Sequence, residues 1–156
     1  MGNSLGCEVL VDLALRHPER VERLVLQGPT PEPGARTALQ QLSRYTVTSF
    51  FERTPLSLIT MSDYARCGMR RFAGTFRHML ADRIEEKLPR VDATKLVVRG
   101  TRDHIVSQAW AERVASLLPR SHLAVIPGAA HAINFSYPHQ FKATMLAFLL
   151  GEETQT

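Results

Sequence analysis

The sequence predicts an α/β fold, the C-terminal portion of a doubly wound, mostly parallel sheet, with three strands and a helical lid inserted between the first two. Two observations predict it. Short, β-rich apolar runs alternate with helix-length segments, which implies parallel pairing through right-handed crossovers. The chain also opens on Met1-Gly2-Asn3-Ser4-Leu5-Gly6, a G-x-S-x-G pattern with almost nothing in front of it.

The elements follow in order. After Ser4, the residues Leu5, Val9, Leu13 and Arg16 recur at helical spacing with Leu10 and Ala14 alongside, and His17-Pro18 stops the run. Residues 23–27 form a short apolar run closed by Gly28-Pro29, as expected of a buried parallel strand. Residues 29–88 carry no strand signal. Segments 35–53 and 63–88 both allow helices, the second broken near Gly68 and Gly74. Pro29-Thr30-Pro31-Glu32-Pro33-Gly34 forms a stiff hinge in front of them. Residues 95–99 are the second strand, 108–118 a helix around Trp110 and Val114, and 122–126 the third strand. A last helix spans 138–150, begun by Pro138 and ended by Gly151. The chain thus divides into 1–28 (turn, helix and strand of the core), 29–88 (lid) and 89–156 (C-terminal core).

Composition bounds the function. With 156 residues and 44% hydrophobic content the chain can bury one core. The net charge of +4 comes largely from arginine. Arg36, Arg44, Arg53, Arg66, Arg70, Arg71, Arg77 and Arg83 fall in the lid, but Glu52, Asp63, Asp82, Glu85 and Glu86 are interleaved with them. That pattern reads as a solvated helical face rather than an anion-steering patch, and no nucleic-acid motif accompanies it. Cys7 and Cys67 suit neither a disulfide framework nor a zinc site, and no cofactor or metal is expected. Cys7 and Trp110 read as core residues. No apolar stretch is long enough to span a bilayer and no signal peptide is evident, so the expected setting is cytoplasmic.

A serine hydroxyl is a poor nucleophile until a histidine takes its proton and an acid fixes that histidine's tautomer. Downstream of Ser4 the sequence supplies both, in the order acid then histidine. Asp103 stands in Gly100-Thr101-Arg102-Asp103-His104-Ile105-Val106, just beyond the second strand, and His131 in Gly128-Ala129-Ala130-His131, just beyond the third. Loops at that edge of a doubly wound sheet are where functional groups collect. The alternatives are plain. Ser4 could serve as a helix N-cap, Asp92 or Asp63 could be the acid, and His17, His78, His104, His122 and His139 compete with His131.

Taken together, Gly2-x-Ser4-x-Gly6, Gly100-x-x-Asp103-x-x-Val106 and Gly128-x-x-His131 followed by Pro138 make the chain resemble the C-terminal part of an α/β-hydrolase-fold enzyme over essentially its whole length. The resemblance implies that Ser4 is the nucleophile, His131 the general base and then acid, and Asp103 its orienting partner. It also implies that the backbone N–H of Leu5 is one oxyanion-hole donor. The family's earlier strands and the loop giving the second donor have no counterpart here. Losing one such donor typically costs on the order of 10²–10³ in rate. Met1 is open to three accounts: an internal residue of a longer protein, a misassigned start, or a true truncation. On the last account the chain alone is expected to be inactive and to self-associate through an open strand edge around Leu24, Val25 and Leu26. The expected substrate is a small carboxylic ester or related acyl compound. C–C bond hydrolysis is the second choice, and a non-catalytic interaction module is the rival from another class.

Overall fold

The computed structural model describes residues 1–52 and 54–151. Arg53, where the first lid helix is expected to end, and residues 152–156 of the C-terminal segment lie outside the described residues. The described strands are β1 (Gly2–Asn3), β2 (Arg23–Gln27), β3 (Thr94–Gly100) and β4 (Ser121–Ile126), all parallel and adjacent in chain order. The sheet therefore has four strands, not the three expected. Gly2 and Asn3 are too few to show any periodicity in sequence, yet they pair with Leu26 and Gln27. The same pairing covers the end of the β2 edge that the sequence reading leaves open.

Helices pack on both faces, and each strand feeds two cores by alternation. Leu24, Leu26 and Val97 point to one side, where they meet Cys7 and Val11 of α1 (Leu5–Arg16), Ile84 of α5 (Ile84–Lys87), and Trp110 and Val114 of α6 (Gln108–Leu117). Val25, Leu96 and Val98 point to the other, against Ile133 of α7 (Ile133–Ser136) and Phe141 and Phe148 of α8 (Pro138–Leu150). Both faces being covered is why β2 and β3 read as continuous apolar runs. Trp110 is a core residue, and its indole N–H donates to the carbonyl of Pro29 at 2.9 Å, pinning the start of the β2–β3 connection.

That connection holds α2 (Ala38–Ser49), α3 (Thr54–Cys67), α4 (Met69–Ala81) and α5. Thr37 and Gln40 close a capping box, so α2 starts at Ala38 rather than at residue 35. Gly68 breaks the helical run as expected, with a φ of 86°. Gly74 does not break it. It lies inside α4, where an added Cβ would meet nothing within 4 Å, and Phe72 and Phe76 on either side of it stack at 5.8 Å. Arg36 pairs with Glu85 at 2.6 Å and Arg44 pairs with Glu32, while Arg66, Arg70, Arg71 and Arg77 are exposed. Among the described residues no helix is long and apolar enough to cross a membrane.

Candidate active site

β1 ends at Asn3 and α1 begins at Leu5, so Ser4 alone makes the turn, with a φ of 51°. For a residue with a Cβ that conformation costs roughly 1–2 kcal/mol and needs fixed surroundings. Two backbone bonds supply them: the Ser4 N–H donates to the Gln27 carbonyl at 3.0 Å, and the Ser4 carbonyl accepts from the Cys7 N–H at 2.9 Å. Gly2 lets the strand approach the helix, since an added Cβ would lie 2.6 Å from the Gly6 carbonyl carbon and 2.9 Å from the Cys7 nitrogen. Gly6 itself faces open space. Ser4 makes no side-chain cap bond to α1, which removes the capping account of its hydroxyl; Oγ instead lies 3.3 Å from the Thr30 Oγ1. The Leu5 N–H opens α1 and has no intrahelical acceptor. Cys7, fully buried behind the turn, has its thiol pushed far up by burial and by neighbouring Glu8, leaving it unreactive.

Asp103 and His131 meet. The Asp103 carboxylate lies 2.8 Å from His131 Nδ1 through one oxygen, while the other accepts from the N–H groups of Ile105 at 2.8 Å and Val106 at 3.0 Å. The loop is held from beneath by buried Arg99, whose guanidinium donates to the carbonyls of Asp103 at 2.7 Å and Val106 at 2.8 Å. Burial works to raise the Asp103 pKa, but the imidazole and the two N–H donors hold it below the usual carboxylate range. Burial likewise disfavours charge on His131. The Asp103 charge and hydrogen bond, with the Glu52 carboxylate, outweigh it and raise the imidazole above its ordinary value.

Ser4 and His131 border one cavity of about 210 Å³, shared with Tyr45, Thr48 and Glu52. Ser4, Leu5 and Asn3 also border an adjoining, mostly apolar cavity of about 620 Å³, lined by Tyr45, Tyr64, Phe72, Phe76, Met61 and Met79. Among the described residues no hydrogen bond joins Ser4 to His131, whose Nε2 is buried without a partner. The structure thus brings Asp103 and His131 into contact and leaves the Ser4 hydroxyl turned to Thr30. The competitors lie elsewhere. Asp92 is exposed and paired with Arg120 at 2.7 Å, Asp63 is exposed on α3, and His104 stacks on Phe51 at 5.3 Å. His17 caps α1, while His78, His122 and His139 are exposed.

Several supporting residues escape sequence reasoning. Gln27 ends an apolar strand yet is fully buried, and its amide donates to the His131 carbonyl at 3.0 Å. Gly28 reads only as a turn signal after β2. Its φ of 55° and an added Cβ only 2.7 Å from His131 Cε1 show that it makes room for the imidazole. A polar residue and a glycine closing an apolar strand were the available signal. Gly28→Ala is therefore expected to push the ring off Asp103. The His131 proton spectrum would check it, and an unchanged ring environment would contradict the steric account. Among the described residues no group of three or more His, Cys, Asp or Glu is arranged to hold a metal ion.

Residues 1–144 match the family model for the alpha/beta hydrolase family. The chain belongs to the alpha/beta hydrolase family. It is 30% identical to the putative carbamate hydrolase RutD of Agrobacterium fabrum over 96% of this chain and 66% of that protein. It is 28% identical to the pimeloyl-(acyl-carrier protein) methyl ester esterase of Nitrosomonas europaea over 90% of this chain and 66% of that protein. This alpha/beta hydrolase chain thus spans just under two thirds of those curated relatives. Among solved structures it superposes on a thermophilic esterase with a TM-score of 0.74 at 21% identity, covering 97% of this chain and 65% of that one. It superposes on the meta-cleavage product hydrolase of Pseudomonas fluorescens with a TM-score of 0.68 at 20% identity, covering 96% and 63%. These likenesses establish the fold.

Proposed function

We propose that the chain carries the nucleophile, base and acid of a serine hydrolase acting on a carboxylic ester or related acyl compound, with α2 to α4 as the lid over its substrate. One observation carries the reading: His131, paired with the buried Asp103, borders the same cavity as Ser4, itself held at a positive φ on a strand-to-helix turn. Ionised Asp103 accepts from Nδ1–H, which leaves Nε2 as the free base. Rotation about the Ser4 Cα–Cβ bond carries Oγ from Thr30 towards Nε2. Oγ attacks the carbonyl carbon, its proton passes to Nε2, and the carbonyl oxygen takes negative charge beside the Leu5 N–H. Nε2–H then protonates the alcohol oxygen as the C–O bond breaks. Water, deprotonated by the same nitrogen, releases the acid from Ser4.

The larger cavity supports an apolar acyl group, since tyrosine, phenylalanine and methionine side chains form most of its wall. The names of the two curated relatives describe cleavage at a carbonyl bearing a heteroatom, which favours acyl hydrolysis over C–C cleavage here. The direct test is labelling by an alkyl fluorophosphonate followed by peptide mass spectrometry. A single adduct on Ser4, with loss of p-nitrophenyl butyrate hydrolysis in step, is expected. An adduct elsewhere, or hydrolysis that survives full labelling of Ser4, would sink the mechanism. Because the imidazole is raised above its ordinary value, kcat/KM should climb with pH through a limb above about 6.5, the unperturbed histidine value.

A further inference from the structure

Glu52 follows α2 at the corner where the chain turns towards α3, distant in sequence from both triad loops, yet its carboxylate is bound to the histidine loop. One oxygen accepts from the Ala132 N–H at 2.6 Å, the residue directly after His131, and the other accepts from the Ser136 hydroxyl at 2.8 Å. The same corner grips the acid loop. The Thr48 hydroxyl accepts from the N–H of His104, the residue directly after Asp103, at 3.2 Å. Phe51 stacks on the His104 ring at 5.3 Å and takes the Arg102 guanidinium over its own face at 5.7 Å. Three of these contacts thus fall on a residue that directly follows a candidate catalytic group, Ala132 after His131 and His104 after Asp103.

We propose that Glu52 is a positioning residue for His131: its carboxylate ties the α2–α3 corner to the histidine loop, so that the imidazole is set only when that corner is seated. The inference rests on the hydrolase reading above. It couples the substrate cover to the base, because α2 also lines both cavities through Tyr45. Charge follows the same contact. Among the described residues, the charged side chains facing the imidazole are Asp103 from the acid loop and Glu52 from the corner, with the neutral Tyr45 and Tyr64 on the cavity wall. Seating Glu52 therefore favours the protonated imidazole as well as its position.

The test uses Glu52→Gln and Glu52→Ala in the whole chain, read two ways. The pKa of His131, followed through its ring Cε1 proton, is expected to fall in both variants, since each removes a nearby negative charge. The low-pH limb of kcat/KM should move down with it. Glu52→Gln keeps an acceptor for Ala132 and should retain most of kcat. Glu52→Ala should lose about 10²-fold in kcat with little change in KM. A residue that merely stabilised the fold would lower the melting temperature and leave the histidine titration where it was. Titrations superimposing on the parent in both variants overturn the proposal, and Glu52→Gln decides it should the alanine variant unfold. The ring titration needs no turnover. Absence of Ser4-dependent hydrolysis in the parent would therefore defeat the hydrolase reading alone, while the titration still decides whether Glu52 acts on His131.

Discussion

In the full-length context, Ser4→Ala and His131→Ala are each expected to lower kcat for a short p-nitrophenyl ester by on the order of 10⁶, and the double variant to be hardly worse, because the members of such a set act as a unit. The expectation follows from the proposed division of labour. In that mechanism no covalent intermediate forms without Oγ, and without Nε2 neither attack nor departure of the alcohol has a proton acceptor or donor. Asp103→Asn should cost about 10⁴ by a different route. Its amide N–H₂ would face His131 Nδ1, force that nitrogen to be the acceptor, and leave Nε2 protonated. The backbone should tolerate the change, since the remaining carbonyl oxygen can still accept from Ile105 and Val106. Stopped-time assays on purified variants, with circular dichroism to show an intact fold, make the comparison. Additive losses in the double variant, or full activity in Asp103→Asn, would dismantle the relay.

Glu8→Gln is expected to stabilise the protein at alkaline pH and to leave it nearly unchanged in acid. Glu8 lies on the inner side of α1, only 4% exposed, and one of its carboxylate oxygens has no partner among the described residues. Burial, aided by the nearby Asp82 charge and only partly countered by Lys87, pushes its pKa up to about 8. In the unfolded chain the same group ionises near 4.5. Between those values the folded state keeps a proton that the unfolded state has lost, so stability falls as pH rises and the full penalty is present above about 8. Glutamine occupies the same space without the ionisation. The difference in unfolding free energy between variant and parent should therefore grow from near zero below pH 4.5 to a few kcal/mol at alkaline pH. Urea denaturation at a series of pH values measures it, and a pH-independent difference would mean the carboxylate is hydrated and charged in the fold.

Local chemistry carried the sequence reading a long way. The apolar run at Arg23–Gln27, the helix limits at Pro138 and Gly151, and the break at Gly68 each have a cause within a few residues of chain: side-chain periodicity, a missing N–H, a positive φ. The order Ser4, Asp103, His131 was legible for a related reason, since each residue stands just beyond a strand and such loops lie together at one edge of a parallel sheet. Where the pattern was too short or the cue ambiguous, the reading failed. Two residues of β1 carry no period, and Gly74 resembles a breaker in sequence although α4 runs through it.

The supporting residues could not be found that way, because their roles exist only between segments far apart in the chain. Gln27 matters because its amide reaches the His131 carbonyl, Gly28 because the imidazole occupies the space of its absent side chain, and Arg99 because it binds the carbonyls of the acid loop. Glu52 looked like one more charge on a solvated lid, yet it is bound to the loop that carries His131. Residue type and spacing alone determined the fold class and the candidate chemistry. Tertiary packing decided which polar groups face one another, which charges lose their water, and that the Ser4 hydroxyl rests on Thr30 rather than on His131, since these depend on distances that no local pattern encodes.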